Sequence, residues 1–233
     1  MFIMIDGIDG SGKSTVVDVW KEYLTAESNA IFDLKKYWED NKKYPDINEL
    51  RSYDIIFSCE PTRVGIGRVI RDELINNGNH YPAEALAHAY SLDRLILYTK
   101  IIIPSLAKDK LIIQDRGVST SLAYQTAPDT GLNYDQITNL PGNRLALEHR
   151  PDVLVLLDVS PEICAARLAG RTDKNDNAIF ERTELLRQNA EQFKKTEYQK
   201  IFTDRGTKIL HLNSGENIDI IKSKAVELLK NLI

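Results

Sequence analysis

The chain has 233 residues, 42% of them hydrophobic and 27% charged, and a formal net charge of −4. This composition suits one packed globular domain over residues 1–233 and does not indicate disorder. The acidic balance argues against a nucleic-acid binder, and two cysteines supply neither a disulfide framework nor a metal-ligand spacing, as expected of a cytoplasmic protein.

Residues 2–5 read as a first apolar strand, without the basic start and long apolar core of a signal peptide. No apolar run approaches the ~18 residues of a membrane span, so no membrane partner is expected. The strand leads into Gly7-Ile8-Asp9-Gly10-Ser11-Gly12-Lys13-Ser14-Thr15, which fills the pattern G-x-x-x-x-G-K-[ST] at every specified position. Gly7, Gly10 and Gly12 let backbone N–H groups converge on a phosphate chain, and the following helix adds the positive end of its dipole. Lys13 supplies a point charge to the β- and γ-phosphates, and the Ser14 hydroxyl is placed to ligate Mg²⁺. The plainer reading, a glycine turn capped by Ser11 ahead of an amphipathic helix, does not explain why the whole pattern stands between a strand and a helix. ATP with Mg²⁺ is therefore the expected ligand.

Helical periodicity runs from residue 15 to about 25. Residues 31–48 interleave Phe32, Leu34, Tyr37 and Trp38 with lysines and glutamate. Aromatics among cations suit a base or a phosphate, but a surface helix that buries its aromatics and solvates its charges is the expectation here. A buried strand over 54–58 ends in Cys59-Glu60-Pro61-Thr62, and helical period resumes over 64–76. A long helix starts at Pro82 and reaches about residue 103, before Pro104; Tyr90 and Arg94, four apart, share one of its faces.

A third strand at 111–114 ends in Asp115-Arg116-Gly117, ahead of a short helix at 118–125 and another at 134–148. The fourth strand, 152–158, precedes a helix that Ser160 caps and that ends near Gly170. The polar stretch from 171 to about 178 reads as a lid or as a plain surface loop. A helix over 179–202, a fifth strand at 208–212 and a helix at 218–232 complete the chain. Strands alternating with helices predict an α/β fold of the P-loop NTPase type: a five-stranded parallel sheet flanked by helices on both faces. Its ligands belong at the carboxyl ends of the strands, where Asp6, Glu60, Asp115 and Asp158 fall. Asp115 and Asp158 are both candidates to direct the metal. Asp115 is preferred, because Asp158 lies just before a helix N-cap, where the dipole already accounts for it, whereas Arg116 needs an anion nearby.

Together these motifs resemble the thymidylate kinase family. The opening through Thr15, Glu60-Pro61, Leu92-Asp93-Arg94 with Tyr90, Asp115-Arg116 followed by Ser119 to Gln125, and Asp158-Val159-Ser160-Pro161-Glu162 with Arg167 and Arg171 occur in the order that family has. The resemblance implies transfer of a phosphate from ATP to the deoxynucleoside monophosphate dTMP. Asp9 then faces the acceptor sugar, Tyr90 stacks on the base and Arg94 reads its edge. Arg116 contacts the acceptor phosphate, Thr120 and Tyr124 complete that pocket, and Tyr124 crowds a 2′-hydroxyl. Arg167 and Arg171 serve the transferring group from the lid, and the assembly is a homodimer.

Two positions depart from that pattern. Cys59 stands where the family has an Arg that clamps the acceptor phosphate, and Gly117 where it has an aromatic or His. Arg63, Arg68 and Arg71 are the cations near enough in sequence to replace the lost clamp. The segment 29–54 is also longer than the family's. Two other readings follow from these departures: a deoxynucleoside kinase with Glu60 as base on a 5′-hydroxyl, and a non-catalytic nucleotide-binding protein.

Overall fold

Short runs of Ile, Leu, Val and Phe, buried on both faces in the four inner strands, form a parallel sheet in the computed structural model, which describes residues 1–76, 78–170 and 183–233. They are β1 (Phe2–Asp6), β2 (Ile31–Asp33), β3 (Ile55–Cys59), β4 (Leu111–Asp115), β5 (Val153–Asp158) and β6 (Lys208–Asn213). Their order is β2-β3-β4-β1-β5-β6, with every neighbouring pair parallel. The sheet thus has six strands rather than the expected five. The additional one, β2, is three residues long and pairs with β3 alone, so its alternation is too brief to register in the sequence.

The helices are α1 (Lys13–Ala26), α2 (Leu34–Asn41), α3 (Gly65–Val69), α4 (Ala83–Leu97), α5 (Ile103–Leu106), α6 (Val118–Tyr124), α7 (Tyr134–Asn139), α8 (Pro141–Glu148), α9 (Pro161–Ala169), α10 (Thr183–Lys194), α11 (Thr196–Thr203) and α12 (Ile218–Lys230). Alternate residues of β1 divide between two cores. Ile3 and Ile5 pack with Val16 and Trp20 of α1 and with Ile221 and Leu229 of α12. Phe2 and Met4 face the other side, where Trp38, Leu97, Tyr98, Tyr198 and Phe202 cover the sheet. Helices therefore lie on both faces, as the alternation of elements requires.

Three helical boundaries differ from expectation, each for a local reason. The helix expected over 134–148 is split, because Leu140, which precedes Pro141, is extended at ψ 136° and Pro141 opens α8. The described part of the helix expected over 179–202 is broken where Lys195 is extended at ψ 133°. The long helix begun by α4 does not end before Pro104; it loosens to π winding over Tyr98–Ile102 and continues as α5. Pro104 has no N–H to return to the carbonyl four residues back, and the wider turn absorbs the mismatch.

The lysine- and aromatic-rich segment is a docked element. Leu34 and Trp38 of α2 are fully buried, Trp38 meets Tyr44 edge-on with centroids 5.9 Å apart, and Phe32 meets Tyr53 likewise at 4.9 Å. Burial of each of these large side chains contributes about 2–3 kcal/mol, enough to fix α2 against the sheet. The expected lid over 171–178 lies outside the described residues.

Candidate active site

β1 runs between β4 and β5 at the centre of the sheet, so the loop after Asp6 opens over its carboxyl edge. Gly12, at φ 96°, precedes α1, and no side chain caps the helix. Its first N–H groups are left for a ligand, and the positive end of the dipole makes that ligand an anion. Lys13 is 6% exposed and its Nζ donates to the carbonyls of Gly7 and Ile8, both at 2.8 Å, and to Ser11 Oγ at 3.4 Å. Burial, and then the charge of Arg116, draw the Lys13 ammonium down to about 8. An arriving phosphate would relieve both effects.

Gly10, Gly12, Lys13 and Ser14 line a cleft of about 250 Å³. Gly7, Ser11 and Thr15 do not; Ser11 is fully buried beneath the loop and Thr15 is half-buried in α1. The same cleft is lined by Asp9 of the loop and, from other elements, by Glu60, Tyr90, Arg94, Arg116 and Tyr124, with Arg71 and Thr120. Every residue expected on the acceptor side is thus brought to one cavity.

Arg94 is only 1% exposed, and its guanidinium is held from several sides. Nε donates to Glu60 Oε2 at 2.8 Å, Nη2 to Ser121 Oγ at 3.1 Å, and Nη1 to Asn143 Oδ1. Gln114 Nε2 donates to the other oxygen of Glu60 at 3.1 Å. Burial pushes the Glu60 carboxyl up to about 7 against the pull of Arg94. A buried pair with this many partners holds an arginine in one rotamer at the cleft wall, which suits recognition of a planar edge.

Arg116 sits in the left-handed region at φ 65°, a conformation that costs a non-glycine residue about 1–3 kcal/mol. Its surroundings offset that strain: its N–H donates to Ile5 O at 2.9 Å, its carbonyl accepts from Gln114 Nε2 at 2.9 Å, and its guanidinium pairs with Asp9 and lies 5.7 Å from the Tyr124 ring centroid. The Tyr124 hydroxyl donates to Asp9 Oδ2 at 3.3 Å and accepts from the Asp9 N–H at 3.2 Å. Asp9, Arg116 and Tyr124 therefore form one assembly that ties the phosphate loop to the end of β4 and to α6.

Asp115 lines the cleft, and its Oδ1 is buried with no hydrogen-bond partner among the described residues. Asp158 instead is exposed and faces His211 Nδ1 at 2.9 Å. No group of three His, Cys, Asp or Glu side chains converges among the described residues. One carboxylate with an unused oxygen, in a cleft that Ser14 also lines, fits Mg²⁺, which keeps several waters and shares substrate phosphates.

Arg167 does not line the cleft. Its Nη1 donates to Gly10 O at 3.4 Å and its Nη2 to Ser214 O at 2.8 Å, which ties the phosphate loop to the chain after β6. Arg171 lies outside the described residues. Asp6, absent from the expected set, is fully buried under the loop: it accepts from Gly7 N at 2.8 Å and Thr120 Oγ1 at 2.6 Å, and lies 3.8 Å from Arg116. Burial raises its carboxyl. Its place at the end of a strand was the available signal.

The two departures have local explanations. A Cβ at Gly117 would stand 2.4 Å from the Met4 methyl, so the Met4 side chain fills the space a larger residue would need. Cys59 is buried at the cleft wall. Beside it, Arg71 Nε donates to the carbonyls of Pro61 at 3.0 Å and Thr62 at 3.2 Å, and Arg63 pairs with Glu39 of α2 at 3.1 Å. Lys35 and Gln125 also line the cleft and were not expected; Lys35 was hidden by its place in a segment read as surface.

Comparison with known proteins places the chain among similar sequences. A family model described as thymidylate kinase matches residues 47–225. A protein named probable thymidylate kinase from Thermococcus kodakarensis is 30% identical, covering 100% of this chain and 98% of its own length. A second so named, from Methanococcus aeolicus, is 28% identical over 98% of this chain and 95% of itself. A thymidylate kinase from Clostridium novyi is 26% identical over 98% of both chains.

Proposed function

The chain belongs to the thymidylate kinase family, and from that membership we propose that it transfers the γ-phosphate of ATP to dTMP, giving dTDP and ADP. The observation that carries the proposal is the shared cleft: an uncapped helix N-terminus with Lys13 on one side, and Tyr90, Arg94 and Arg116 on the other. A reaction between two phosphorylated molecules needs both held in line with water excluded, and it needs charge stabilised more than covalent chemistry.

In this reading Gly7, Gly10, Ser11, Gly12 and Thr15 shape the donor seat, and Lys13 binds the ATP phosphates. Ser14 and Asp115 hold Mg²⁺, which when bound neutralises charge on the phosphate oxygens. Tyr90 stacks on thymine, Arg94 faces its edge within the frame set by Glu60, and Asp9 meets the sugar. Arg116, Arg71 and Thr120 lie toward the acceptor phosphate, and Tyr124 selects the deoxy sugar. Arg167 steadies the phosphate loop from the carbonyls of Gly10 and Ser214.

Glu60 is unsuited to the role of base in a deoxynucleoside kinase, because both its oxygens are engaged by Arg94 and Gln114. A single kinase domain over residues 1–233 is supported by the continuous sheet with a core on each face. Assembly as a homodimer is supported by the family and by Val69 of α3 and Leu92 of α4, adjacent helices on which these side chains are 48% and 45% exposed. No described helix is long and apolar enough to cross a membrane. A cytoplasmic setting suits a chain whose two cysteines, Cys59 and Cys164, are both buried.

The test is ADP release with Mg-ATP, comparing dTMP, dUMP, dGMP, thymidine and deoxycytidine as acceptors. Selective turnover of dTMP is expected. Turnover of nucleosides alone, or of none of the five despite ATP binding, would refute the reading.

A further inference from the structure

The acceptor wall lacks an arginine at Cys59, yet the cavity there is not short of positive charge. The sheet register shows where a replacement comes from. β2 pairs with β3 so that Asp33 stands level with Phe57, and two residues further along each chain lie Lys35 and Cys59. Lys35 is the second residue of α2, whose position is fixed by the buried Leu34 and Trp38 on either side of it. It lines the cleft together with Cys59, Arg63 and Arg71. Arg63 is partly committed to Glu39, and Arg71 to the carbonyls of Pro61 and Thr62. The Lys35 side chain makes no hydrogen bond or ion pair among the described residues.

We propose that Lys35, carried on α2, binds the phosphate of the acceptor nucleotide and replaces the arginine absent at Cys59. The assignment rests on the reading of the cleft as a monophosphate acceptor site. It gives the long segment 29–54 a purpose: the segment adds an edge strand and a docked helix whose first turn delivers an uncommitted ammonium to the carboxyl edge of β3. An ammonium on a flexible stem approaches a phosphate as a point charge, where a guanidinium would make two parallel bonds, and the small Cys59 side chain leaves room for that approach.

The experiment measures dTMP and thymidine affinity by titration calorimetry, and KM for dTMP and for ATP by steady-state kinetics, in the unaltered protein, Lys35→Ala, Lys35→Arg and Lys35→Ala/Cys59→Arg. Loss of one charge-assisted contact should weaken dTMP binding and raise its KM by about tenfold, with KM for ATP and thymidine affinity unchanged. Lys35→Arg should retain most of the affinity, and Cys59→Arg should restore it to Lys35→Ala. Equal dTMP affinity in Lys35→Ala and the unaltered protein would overturn the assignment, as would a parallel loss of thymidine affinity. Lack of dTMP turnover by the unaltered protein would instead sink the proposed reaction, while calorimetry still reads the phosphate contact.

Discussion

Lys13 shows how much of a site's behaviour one buried charge sets. Its ammonium is held by two carbonyls and a hydroxyl, and burial with the nearby Arg116 draws it down to about 8. Between pH 8 and 10.5 the folded protein therefore holds fewer protons at this residue than the unfolded chain, so its contribution to stability grows as pH rises through that window. Phosphates reverse the preference. Mg-ATP affinity should be flat below about pH 8 and fall above it by at most about tenfold per pH unit, with proton uptake on binding; calorimetry in buffers of different ionisation enthalpy reads both. Lys13→Ala should abolish turnover by at least about a hundredfold without lowering Tm, measured by coupled assay and thermal melt. Normal activity in that variant would remove the phosphate loop from the reaction. The residue types at this site were legible because the motif fixes them in sequence. Asp6 and Gln125 were less so, since their roles depend on which elements lie beside them.

At the scale of the element, α4 and α8 set the position of Arg94. Gly142 in the first turn of α8 lets the helices touch backbone to backbone: a Cβ there would stand 1.8 Å from Ser91 O, and the Gly142 N–H donates to Ser91 Oγ at 2.9 Å. The next residue, Asn143, holds the Arg94 guanidinium. Gly142→Ala must push the helices apart, at a cost of about 2–3 kcal/mol and about 5–10 °C in Tm. The same shift should raise KM for dTMP more than KM for ATP, which a melt combined with steady-state kinetics will show. Apolar runs made most strands and helices legible, and the misses have separate causes. β2 is too short to show a period, the break at Leu140 answers to Pro141, which periodicity alone does not register, and ahead of Pro104 the chain loosens its winding where the proline was expected to end the helix. The break at Lys195 has no such marker in the sequence.

Over the whole molecule, the two sides of the cleft draw on strands of different standing. The donor loop follows β1, paired on both sides by β4 and β5, whereas Lys35 follows β2, a three-residue edge strand paired on one side only. The sheet order that separates them was not legible, because pairing between distant runs is set by crossovers that no local pattern encodes. Edge elements open to solvent at lower free energy than central ones. Ligands that bind only the closed form oppose that opening, and each half of the reaction should do so in a different place. In hydrogen exchange, amides of β2 and α2 should exchange faster than those of β1 in the free protein and slow on addition of dTMP; ATP alone should leave them unchanged. The acceptor nucleotide would thus act as a removable fastening at the margin of the sheet, and the margin's own breathing would limit how tightly that nucleotide is held.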